Sequence, residues 1–83
     1  MKFNIDDGLI FDATNYWNTR VQDCFAEESA ELIYAMRYQG RQEVKLEMRD
    51  VLICLSMLCK HYAINPKEIS RMANEKLKEV REV

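Results

Sequence analysis

Gly8, Gly40 and Pro66 are the only glycines and the only proline in a chain of 83 residues. Two long stretches therefore carry no backbone breaker, and the spacing of their apolar residues decides what they become. From Asn15 to about Arg37 that spacing is helical. A seam runs through Trp17, Val21, Cys24, Glu28, Glu31, Ala35 and Tyr38, with Phe25, Leu32 and Met36 beside it. Thr14 is the expected N-cap, and Gly40 is expected to end the helix in a left-handed backbone, which costs glycine little. Gln42 to about Tyr62 forms a second helix. Val44, Val51, Leu55, Leu58 and Tyr62 mark one face, and Leu46, Ile53, Met57 and Cys59 lie outside it. Such a helix, apolar nearly all round in its second half, belongs inside a bundle or at an interface.

Asn65-Pro66-Lys67-Glu68 is a strong helix start: asparagine caps, proline takes the first helical position, and Glu68 is placed for a capping box. The third helix is expected from Pro66 to about Arg81, with Ile69, Met72, Ala73, Leu77 and Val80 turned inward. Residues 1–13, with Gly8 and scattered acids, read as an irregular N-terminal arm. Nothing reads as a strand. The expectation is an all-α chain forming one domain over residues 1–83. Two long antiparallel helices and a C-terminal helix assemble into a helical bundle across subunits.

Apolar residues make up 48% of the chain, rich for a length at which a single core is thin. The surplus needs a burial site, and a subunit interface provides one, so a homo-oligomer is expected. The 31% of charged residues and the short apolar run Val51 to Cys59 argue against a membrane span. A net charge of −2 without blocks of like charge gives no groove for nucleic acid and no anionic-membrane surface. Cys24, Cys54 and Cys59 form no C-x-x-C and sit in apolar surroundings. They read as buried reduced thiols, which fits a cytoplasmic location, and the first residues carry no secretory apolar segment.

The informative anomaly is where the acids fall. Glu28 and Glu31 occupy seam positions that a helical bundle reserves for apolar side chains. They stand one turn apart, so both carboxylates point the same way. Glu47 and Asp50 repeat the arrangement in the second helix, after fifteen intervening residues. Antiparallel neighbours joined by a short loop set the two pairs opposite each other. Four facing carboxylates repel and resist desolvation, and a hard divalent cation removes both penalties. Oxygen-only ligation suits Mg²⁺ or Mn²⁺, whereas the absence of a His or Cys cluster argues against zinc. Read by spacing alone, each pair is also compatible with a solvated acidic face.

The combined pattern resembles the MazG-like all-α nucleoside triphosphate pyrophosphohydrolases. Their E-E-x-x-E motif reads here Glu27-Glu28-Ser29-Ala30-Glu31, followed by Leu32. Their E-x-x-D reads Glu47-Met48-Arg49-Asp50, opening the run Val51-Leu52-Ile53-Cys54-Leu55. Tyr62-Ala63-Ile64-Asn65-Pro66 is similar to the family's turn into its last helix, and Asn74-Glu75-Lys76-Leu77-Lys78 to its closing segment. The resemblance implies hydrolysis of nucleoside triphosphates to the monophosphate and pyrophosphate, by a homodimer or homotetramer. It implies metal ligands at Glu28, Glu31, Glu47 and Asp50, with Glu27 auxiliary, and a phosphate contact at Lys76. Metal bridging of phosphate oxygens would neutralise charge building in the transition state.

Tyr38, two turns past Glu31, and Trp17, on the same seam, are candidates to stack on the base, although aromatics at such positions more often pack in the core. Arg41, Lys45 and Arg49 could also reach phosphates, although solvated surface charges are the stronger reading. No Ser or Cys stands in a nucleophile motif. The chain is short for the resemblance, with few residues before the first motif. That keeps a second reading open: a catalytically silent helical oligomer serving as an adaptor or nucleotide-sensing regulator.

Overall fold

A computed structural model describes residues 3–82, without the side chains of Thr19 and Glu82. Among the described residues it holds four helices and no strand: α1 (Asp7–Trp17), α2 (Val21–Tyr38), α3 (Arg41–His61) and α4 (Pro66–Glu82), with a short 3₁₀ turn at Asn18–Arg20. The all-α expectation stands, but the N-terminal arm needs correcting, because residues 7–13 are helical. Asp6 caps α1 by accepting from the Leu9 N–H at 2.9 Å, and Asp7 adds a negative charge to the first turn. These are ordinary start signals for a helix, and Gly8 in the first turn masks them.

The long first helix also proves to be two. Asn18 has a positive φ of 51° with ψ −122°, a backbone that cannot continue a helix, and its N–H caps α1 by donating to the Thr14 carbonyl. Thr14 is therefore not an N-cap: it lies inside α1, its hydroxyl donating to the Ile10 carbonyl at 2.7 Å. The break redirects the chain so that α1 lies against α3.

α2 and α3 form an antiparallel hairpin and make the most extensive packing in the molecule. Gly40 does not adopt the left-handed backbone expected of it. At φ −99° and ψ −179° it is extended and serves as the N-cap of α3, its N–H donating to Glu43 Oε2 at 3.2 Å. Ile10, Val21, Cys24, Cys54 and Met57 form the core, flanked by Ile5, Ala13, Trp17, Phe25 and Leu58. Met57 is among the most deeply buried side chains, whereas Leu55 is exposed. The inward face of α3 is thus rotated from the expected one, onto Cys54, Met57 and Leu58.

α3 ends in a Schellman motif, with the Ile64 N–H donating to the Cys59 carbonyl at 2.8 Å and Ala63 N–H to the Lys60 carbonyl at 3.2 Å. Ala63 holds the left-handed position at φ 55°. Asn65 then caps α4 as expected, accepting from the Lys67 N–H at 3.0 Å. Every described residue from 62 to 81 is exposed, so the apolar stripe of α4 (Ile69, Met72, Leu77, Val80) is not buried by any other described residue. Among the described residues, no helix is long and apolar enough to cross a membrane.

Candidate metal centre

The site grows out of the core stripes of the hairpin. In α2, Val21 and Cys24 are buried and Glu28 follows one turn later; in α3, Asp50 precedes buried Cys54 by one turn. Because the helices run antiparallel, the two acid pairs lie side by side, between the apolar core and the loop at Gln39–Gly40. Cys24 and Cys54 lie one turn closer to the core on the same stripes, and burial together with the adjacent Cys24 raises the Cys54 thiol. All three cysteines are free, two buried and Cys59 half-buried.

Glu28, Glu47 and Asp50 each offer a carboxylate oxygen, and these oxygens lie within 4.8 Å of one another. All three residues are half-buried. Glu28 Oε2 and Glu47 Oε2 are shut off from solvent and have no hydrogen-bond partner, a costly state for an ionised oxygen. The electrostatics register this cost. Desolvation, followed by the nearby Glu31 carboxylate, pushes Glu28 from 4.5 up to about 7, with Asp50 and Glu47 adding to the rise. Glu47 is raised for the same leading reasons, desolvation and then Glu31. Glu31 is itself exposed, so it stands at the open edge of the cluster rather than in its tightest part. Two orphaned oxygens aimed into a set of hard anionic donors are what a divalent cation would satisfy.

Glu27 is exposed and outside this group. Trp17 packs against the core cluster, with the Arg20 guanidinium carbon 5.3 Å from its ring centroid. Tyr38 is exposed and lies beside Tyr34, ring centroids 5.0 Å apart. Lys76 is exposed on α4 and paired with Glu79 at 3.7 Å. One contact escaped the sequence: Arg49 Nε donates to Asp50 Oδ1 at 2.9 Å. Neighbours in a helix point about 100° apart, so spacing gave no sign of it.

Compared with known families, residues 10–77 match the model for phosphoribosyl-ATP pyrophosphohydrolase. The chain belongs to that family. It lies within the MazG-like all-α nucleoside triphosphate pyrophosphohydrolase superfamily, so the family resemblance drawn from the two acid motifs holds. The matched segment contains all four acids, and membership makes this a pyrophosphohydrolase of a metal-dependent family. No curated protein and no solved structure matches the chain.

Proposed function

We propose that the chain hydrolyses a nucleoside triphosphate, or a nucleotide carrying the same triphosphate, to the monophosphate and pyrophosphate. The observation that carries this reading is the convergence of Glu28, Glu47 and Asp50 on one point, with two of their oxygens buried and unpartnered. Glu28, Glu31, Glu47 and Asp50 would hold Mg²⁺, with Mn²⁺ an alternative of the same coordination chemistry. Such an ion, when bound, neutralises phosphate charge and lowers the pKa of a coordinated water. The chain's own part is to position these carboxylates and to keep bulk water from the inner oxygens. Glu27, at the exposed edge, is assigned an auxiliary role.

A second copy of the chain completes this reading. The accessible surface is 7047 Å². A compact monomer of this mass exposes roughly 5,200 Å², and a standard interface removes about 800 Å² from each partner. The radius of gyration, 14.4 Å, likewise exceeds the roughly 12 Å expected of a compact chain of this length. An extended chain with an exposed apolar stripe on α4 is the shape expected of a subunit, and an interface of standard size would cover that stripe and part of the excess surface; a homodimer is the simplest such assembly. Tyr38 and Lys76 lie apart from the acids within one chain, so their proposed contacts with base and phosphate belong to the assembled form. Trp17 keeps its proposed role only through its exposed edge.

The test is pyrophosphate release from phosphoribosyl-ATP and from a panel of canonical and modified nucleoside triphosphates, with Mg²⁺ or Mn²⁺ and with chelator. Turnover that requires the metal and is lost in Glu47→Gln/Asp50→Asn is expected. A folded oligomer inert toward the whole panel would favour the adaptor or sensor reading.

A further inference from the structure

Among the described residues, one cation alone lies within ion-pair reach of the four acids: Arg49. It stands between Glu47 and Asp50 in sequence, on a helix where adjacent side chains diverge, yet it folds back to bond Asp50. It engages Asp50 through Nε, and its terminal nitrogens make no hydrogen bond to the described residues. Its side chain is 61% exposed, against 29% for Asp50. A guanidinium is thus anchored at the rim of the carboxylate cluster with its outer donors free.

Charge gives this position a purpose. A single divalent ion does not neutralise four carboxylates, and a triphosphate brings further negative charge to the same place. Resting on the pyrophosphohydrolase reading, we propose that Arg49 is a phosphate-binding residue. Anchored on Asp50 through Nε, it offers its terminal nitrogens to phosphate oxygens of the nucleotide at the same centre. Arginine suits this better than lysine, because its planar fork bonds a carboxylate and a phosphate at once. Without nucleotide, the same positive charge opposes entry of the metal ion. Arg49 therefore acts with opposite sign on the two ligands.

The experiment uses the full chain and two probes, titrated calorimetrically: Mn²⁺ alone, and an α,β-methylene nucleoside triphosphate with saturating Mn²⁺. Arg49→Gln is expected to bind Mn²⁺ a few-fold more tightly and the analogue about tenfold or more weakly, as loss of charge-assisted hydrogen bonds entails. Arg49→Lys keeps the charge, so its Mn²⁺ affinity stays near that of the wild type while analogue binding is only partly restored. Unchanged analogue affinity in Arg49→Gln overturns the proposal. Equal weakening toward both probes also overturns it, since Arg49 would then merely order the carboxylates. Wild-type protein that binds no Mn²⁺ removes the metal reading itself, and this proposal with it.

Discussion

Glu28 is where the cost of clustering acids is most exposed to measurement. Its folded-state value of about 7 lies above its ordinary value of 4.5. Between those pH values the native chain holds a proton that the unfolded chain has released. Stability from this group is therefore greatest at low pH and is lost as pH rises through about 7. The full difference corresponds to roughly 3 kcal/mol. Solvent reaches part of this half-buried group, which reduces the figure to about 1–2 kcal/mol. Glu28→Gln keeps the shape and removes the charge at every pH. In chelator at pH 8 the variant should be more stable than wild type by about 1–2 kcal/mol, and a domain this small gains roughly 4–8 °C in Tm per kcal/mol. Near pH 5, where wild-type Glu28 is already protonated, the advantage should largely vanish. Saturating Mn²⁺ at pH 8 should reverse the order, because the ion stabilises the native wild type by mass action and the variant has lost a ligand. Thermal and urea unfolding at one fixed protein concentration, at both pH values, measure this. A Glu28→Gln advantage of equal size at pH 5 and pH 8, or destabilisation at pH 8 in chelator, would refute the argument that these carboxylates repel across the hairpin.

Four further outcomes follow from particular residues. Glu47→Gln/Asp50→Asn should lower Mn²⁺ affinity by at least tenfold while leaving the helical circular dichroism intact, since half of the proposed donors are removed. Ala63→Gly should stabilise the chain by roughly 0.5–1 kcal/mol in urea unfolding, because the left-handed position after α3 costs alanine more than glycine. Met57→Ala should cost about 2–5 kcal/mol, enough to unfold much of so small a domain at 37 °C. Leu77→Glu on α4 should shift sedimentation toward the monomer without loss of helicity, since Leu77 is largely exposed in the single chain.

Helix class, the α4 cap and the acid pairs were all legible in the sequence, because each depends on a few residues close together in the chain. Asn65-Pro66 starts a helix through local hydrogen bonds. Glu28 and Glu31 share a face because 3.6 residues make a turn. The seam, continuous with Val21 and Cys24, already marked Glu28 as an acid beside the core, whereas Glu31 on the same seam is exposed. The N-terminal helix was harder to see, since Asp6 and Asp7 resembled loop acids beside Gly8. The break at Asn18 left no trace in a seam whose periodicity runs straight through it.

What the tertiary structure alone decided concerns rotation and reach. It chose Met57 over Leu55 as core, because an apolar stretch on all sides of α3 leaves its rotation to the helices packed against it. It brought Glu47 and Asp50 within 4.8 Å of Glu28, which requires the depth of the hairpin as well as its register. It folded Arg49 onto Asp50, a choice open to a flexible side chain beside a concentration of negative charge. Local geometry is encoded in neighbours along the chain. The field in which a carboxylate or a guanidinium sits is set by residues distant in sequence, and it exists only once the helices have packed.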